Sequence, residues 1–227
     1  MIPWLAVQQL LDSALPIGGF SHSFGLETAV QEGRIRNMLE LEKYLGTMIL
    51  QSWSTADAMV VKAVYETADG QDWKRLWHVE RLVHLQRIGS ETRSGVEKMG
   101  RRLLQLAVVI HPAIDWSPLQ KAHESGECLA THPLVHGFIC LRLGLSLEQA
   151  VQGYLYTCIV TGTGSALRLL SVGQTECQAL ITRLSPVIGQ GWEIARELRP
   201  EDAYGNVPVS ELYAARHETL YSRLFMS

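Results

Sequence analysis

His132 and His136 stand four residues apart in Thr-His-Pro-Leu-Val-His-Gly, and on a helix that spacing turns both imidazoles to one face. Two converging ring nitrogens are half of a transition-metal site. No acidic partner accompanies them as it would in a metalloprotease helix, and apolar residues flank His136, so ordinary core or surface histidines are the plainer reading. Gly162-Thr163-Gly164-Ser165 invites comparison with a phosphate cradle. It lacks the lysine and the preceding strand, and it falls inside a predicted helix. Small residues at Gly162, Gly164 and Ala166 more simply let a second helix approach closely. Cys128, Cys140, Cys158 and Cys177 are well separated and form no Cys-x-x-Cys pair, which argues against a disulfide framework and a structural zinc site. They read as reduced, small apolar core residues. A nucleophile elbow, a catalytic cysteine motif and paired carboxylates are all missing. The expectation is therefore a protein that is not an enzyme. The alternative is an all-α metal or cofactor-binding enzyme with His132 and His136 in its site.

The elements that must position these residues are helical throughout. Pro3 to Asp12 predicts a first helix, and a Gly-rich turn follows. A second runs from Phe24 to Gln31, capped by Ser21 or Ser23 and closed by Gly33. Asn37 and Glu40 are spaced as a capping box before the apolar stripe of Leu39, Leu41, Leu45, Ile49 and Leu50. Thr55 to Thr67 makes the next helix, ended by Asp69-Gly70, and Asp72 caps another rich in Trp and Leu. Further helices run from Ser90 to about Val109, from Pro118 to His123 and from His132 to Leu143. Ser146, aided by Glu148, opens a long helix ending near Gly173. Gln149 to Leu167 within it holds no charged side chain, yet its threonines, glutamines and glycines argue for a buried central helix rather than a membrane span. Thr175 caps a helix that Pro186 should kink or divide. Residues 200–208 are polar with two prolines and a glycine and suggest a flexible linker, before an amphipathic helix from Val209 to Ser222. With no strand of useful length and no repeat, the fold class is all-α, a single-domain bundle of about ten helices.

Composition sets further bounds. The 227 residues carry a formal charge of −3, which gives no general attraction to nucleic acid or anionic membranes. The N-terminus lacks the basic region and long apolar stretch of a signal peptide, so a cytoplasmic location is expected. The opposite end is unusual. Chain ends are commonly polar and frayed. Residues 216–227 instead read Arg-His-Glu-Thr-Leu-Tyr-Ser-Arg-Leu-Phe-Met-Ser, a mixture enriched at interface hot spots. Either this segment binds a partner or it packs on its own domain.

Ala14 to Glu27, Ala-Leu-Pro-Ile-Gly-Gly-Phe-Ser-His-Ser-Phe-Gly-Leu-Glu, resembles the N-terminal signature of the urease accessory protein family UreF. Glu91-Thr92-Arg93 leading into Met99-Gly100-Arg101-Arg102-Leu103-Leu104 resembles the same family. So do His132-Pro133-Leu134-Val135, Ala166-Leu167-Arg168-Leu169 through Gly173-Gln174-Thr175, and Arg216 to Phe225. The order is the family's and the span is nearly the whole chain. Departures are His22, where the family commonly has tyrosine, and Thr161-Gly162-Thr163-Gly164, where relatives carry asparagine and bulkier residues. The resemblance implies an all-α homodimer that acts as a non-catalytic chaperone of urease maturation. It would bridge UreD (UreH in some systems) and the GTPase UreG on apo-urease and support GTP-dependent nickel delivery. Nickel would pass through the complex, with no cofactor tightly bound and no nucleic acid or membrane partner. The resemblance assigns 209–227 to partner binding, with Arg216, His217, Glu218, Tyr221, Arg223, Leu224 and Phe225 on the UreD/UreH side. The flexible backbone and aromatic of Gly18, Gly19, Phe20 and Ser21 suggest the UreG side. A helical regulator of some other GTPase is a third class.

Overall fold

A computed structural model describes residues 3–68 and 70–227, and these form α-helices with short 3-10 and π segments and no strand. The first two helices are α1 (Pro3–Leu11) and α2 (Leu26–Gln31). They are followed by α3 (Met38–Met48) and α4 (Ala58–Thr67). Next come α5 (Trp73–Leu85), α6 (Ser90–Ile110), α7 (Ser117–Glu124) and α8 (His132–Arg142). The long pair α9 (Leu147–Leu169) and α10 (Gln174–Glu197) leads to α11 (Pro208–His217).

Local chemistry explains most of the boundaries. Asn37 Oδ1 accepts from Glu40 N at 3.0 Å, while Glu40 returns to Arg36 N at 2.7 Å. Asp72 accepts from Arg75 N, and Ser146 exchanges hydrogen bonds with Gln149 rather than Glu148. Helix α2 starts two residues later than expected because Phe24 (φ 50°) and Gly25 (φ 90°) are left-handed. Ser23 Oγ still caps it through Glu27 N at 3.3 Å. Helix α10 begins one residue before Thr175, with Gly173 N donating to Glu176 at 2.7 Å. Asp69, half of the expected break after α4, lies outside the described residues.

Several expectations are corrected. The break between α3 and α4 is absent: Ile49–Asp57 is π-helical and joins them in one rod. Pro186 neither divides nor ends α10. It lies on the exposed side, where the carbonyl it leaves unpaired can meet water. Helix α11 stops at His217, five residues short of Ser222, and the chain turns with Leu220 N donating to His217 O. Residues 200–208, expected to be a flexible linker, are held by Tyr204 N to Thr55 O at 3.0 Å and Asn206 N to Gln51 O at 2.7 Å. Ala203 and Val207 are buried there.

The core sits around α8 and α9. Every residue from His132 to Cys140 is buried, and α8 packs on α4, α6 and α9. Helix α9 touches α10, α4, α8, α3, α2 and α1, although Tyr156, Gly164 and Leu167 face solvent, so it is not enclosed on all sides. No described helix is long and apolar enough to cross a membrane. Gly162 does permit a close approach, since a Cβ there would lie 2.7 Å from Leu45 Cδ2, whereas Gly164 meets nothing. The tightest contact is at Gly100 on α6, where a Cβ would fall 2.0 Å from Ala130 O. Glu80 fixes that same entry to α8 by accepting from Leu129 N, Thr131 N and Thr131 Oγ1, each at 2.8 Å.

Candidate docking surface

The signature loop and the C-terminal segment, some 200 residues apart in sequence, meet in space. Gly18 (φ 86°) lets the chain reverse into the 3-10 turn Gly19–Ser21, and Ser21 closes that turn by donating through N and Oγ to Gly18 O. His22 then runs extended and buried. The last residues lie against it. Met226 N donates to Ser21 O at 2.8 Å, and the main-chain oxygen of Ser227 accepts from Ser23 N, Phe24 N and Ser23 Oγ at 2.6, 3.1 and 2.7 Å. Ser227 Oγ is 2.8 Å from His22 Nδ1. Burial and the nearby Lys98 ammonium hold His22 down to about 4, so its ring is neutral in this contact.

Beneath the segment lies a charge cluster. His217 at the end of α11 is fully buried, with Nε2 2.9 Å from Glu27 Oε2 and Nδ1 2.6 Å from Glu91 Oε2. Glu27, also fully buried, accepts from Leu224 N at 2.7 Å and Phe225 N at 3.1 Å. Arg223 meets the other Glu91 oxygen at 2.5 Å. From α9, Arg168 donates to Phe20 O and Leu224 O and lies 4.3 Å from the centroid of the buried Phe225 ring.

The candidate residues thus divide by role. Tyr221 is fully exposed, and Leu224, Met226 and Phe20 are 59%, 54% and 76% exposed on the same side of the molecule as the loop they pair with. His217 and Phe225 face inward. Arg216 pairs with Glu32 at 3.0 Å across to the turn after α2. Glu218 accepts from Ser90 N and Oγ and so caps α6, which also draws its carboxyl below the usual range. The two patches expected to serve different partners, 18–21 and 216–225, adjoin. Glu27, Glu91 and Arg168 were not singled out from sequence, although each lies in a stretch that carried the family resemblance. The available signal was a charge set among apolar neighbours.

The histidine pair takes a different place. His132 and His136 are buried beside Tyr154, with ring centroids 6.2 Å apart. Burial pushes His132 down to about 3 and His136 to about 4. His136 Nε2 lies 3.0 Å from Ala150 O, a helix contact that occupies one possible ligand atom. Among the described residues no three His, Cys, Asp or Glu side chains are grouped to hold a metal. A cavity of about 280 Å³ between the signature and the core is lined by His132, Tyr154, Cys158, Thr92 and the Asp57–Arg87 ion pair. Burial raises the Asp57 carboxyl against the pull of Arg87. Gly162 to Ser165 lies mid-helix, with Thr163 and Ser165 hydroxyls bonded to Ile159 and Thr161 carbonyls. It offers no free amides to a phosphate.

Comparison with known proteins agrees with the motifs. The UreF family model matches residues 35–185. The urease accessory protein UreF of Actinobacillus pleuropneumoniae serotype 5b (strain L20) is 30% identical over 226 residues, covering 98% of both chains. Those of Arthrobacter sp. (strain FB24) and Paenarthrobacter aurescens (strain TC1) are 29% and 28% identical over 223 residues, covering 98% of this chain and 96% and 97% of theirs. With an all-α fold and a match extending over nearly its whole length, this chain belongs to the UreF family.

Proposed function

We propose that this protein is a non-catalytic chaperone of urease maturation that works in the cytoplasm as a homodimer. It bridges UreD/UreH and the GTPase UreG and supports GTP-dependent insertion of nickel into apo-urease. Family membership supports the maturation role. The observation that carries the docking of UreD/UreH is the composite surface, where exposed Tyr221, Leu224, Met226 and Phe20 stand on a backbone held by a buried charge cluster. Large exposed aromatic and aliphatic groups on a rigid base are what a protein interface needs. Because loop and tail adjoin, one partner covers both, and UreD/UreH is that partner. Nickel is cargo here rather than a resident group.

Deleting Tyr221 to Ser227 is a poor test, since it strips two donors from buried Glu27 and the guanidinium from Glu91. Tyr221→Ala and Leu224→Ala leave those bonds intact. Each should weaken capture of UreD/UreH by the tagged protein at least tenfold with the far-ultraviolet spectrum unchanged. Undiminished capture by the double variant would count against the assignment.

A further inference from the structure

Glu27 is an ionisable side chain with no exposed surface, and its hydrogen-bonding contacts to distant residues come from the C-terminal segment. Oε1 accepts from Leu224 N, with Gln31 Nε2 at 3.3 Å, and Oε2 accepts from Phe225 N and faces His217 Nε2. Each oxygen therefore reads one backbone amide of the tail. A buried carboxylate can be held only when its acceptor sites are filled and its charge is met. His217 faces a carboxylate oxygen with each ring nitrogen, Glu91 at Nδ1 and Glu27 at Nε2, and so ties the two acids together. Arg223 supplies a positive charge at Glu91. The cluster is complete only when residues 223–225 are in place.

We propose that Glu27 and His217 are positioning residues for the docking surface. They set the tail so that Leu224 and Met226 point outward beside Phe20 while Phe225 is drawn under Arg168. The alternation is held by Glu27, which takes the amides of Leu224 and Phe225, and by Arg168, which takes Leu224 O and covers the Phe225 ring. Anchoring the amides of 224 and 225 thus fixes which residues a partner meets. Pre-setting the tail also lowers the ordering cost of association. The inference rests on the UreD/UreH reading above and adds the residues that act through the tail without touching the partner.

The test is hydrogen–deuterium exchange on the full chain, with Glu27→Gln as the variant. Glutamine keeps the shape but offers one oxygen, so its amide must face either Leu224 N–H or Phe225 N–H, donor against donor. Exchange at residues 224–227 should rise at least about tenfold while α9 and α10 stay protected, and capture of UreD/UreH should fall with it. Unchanged exchange would overturn the proposal. Faster exchange with full capture would overturn it too, because the tail's position would then not matter to the partner. Failure of the wild-type protein to capture UreD/UreH would instead strike the functional reading. Should Glu27→Gln not fold, exposed Arg223→Gln removes one charge from the same cluster. It should raise exchange at the same amides about threefold or more; no change there also refutes the mechanism.

Discussion

Acid should destabilise this fold through its buried histidines, and the size of the effect can be worked from two of them. His132 and His136 lie in the core on α8, held down to about 3 and about 4 by burial, with His136 adding to the penalty on His132. In the unfolded chain both return to the ordinary value near 6.5. Between these values the unfolded chain binds protons that the folded chain refuses, so stability present above pH 6.5 is lost as pH falls toward 4. At pH 5 the loss is about 2 kcal/mol for each histidine and about 4 for the pair, relative to neutral pH. That is a large share of the 5–15 kcal/mol typical of a domain. Buried Asp57 works in the opposite sense, since burial raises its carboxyl, so wild-type slopes alone would mix the terms. The clean comparison is with His136→Gln, which reaches Ala150 O with an amide in place of the ring. Urea unfolding at pH 7 and pH 5 should show the variant losing about 2 kcal/mol less than wild type over that interval. Equal losses in both proteins would refute the burial argument.

Other perturbations separate fold from surface. Gly100→Ala would place a methyl 2.0 Å from Ala130 O, backbone that Glu80 holds, and should lower stability by about 3 kcal/mol and Tm by roughly 6–12 °C; a Tm within a degree of wild type would contradict the packing. Phe20→Ala touches an exposed ring and should leave Tm unchanged. If loop and tail share one partner, it weakens UreD/UreH capture about tenfold and spares UreG, whereas loss of UreG alone would return Gly18 to Ser21 to the UreG side.

Fold class and most helix starts were legible because their causes are local. Asn37, Asp72 and Ser146 each satisfy an amide three residues away, and a linear reading sees that distance. The π stretch Ile49–Asp57 has no such cause. It continues the α-helical stripe in sequence, and the neighbours that accommodate its wider turn, above all α10, are remote. Whether Pro186 divides its helix depends on exposure, which only the packed bundle reveals. The docking surface was half visible. Tyr221, Leu224 and the Gly-rich loop stood out by composition, but nothing local says that Glu27 and His217, 190 positions apart, share a hydrogen bond. Nor could the sequence tell which of Leu224, Phe225 and Met226 turns inward, because that choice is made by Arg168 and Glu27 across the fold.

The most direct test of the central claim is co-expression of the tagged protein with its cognate UreD/UreH and UreG, followed by size-exclusion chromatography. A ternary complex eluting together, and losing UreD/UreH when Tyr221 and Leu224 are replaced by alanine, is the expected result. A monodisperse protein that elutes apart from both partners would contradict the bridging role.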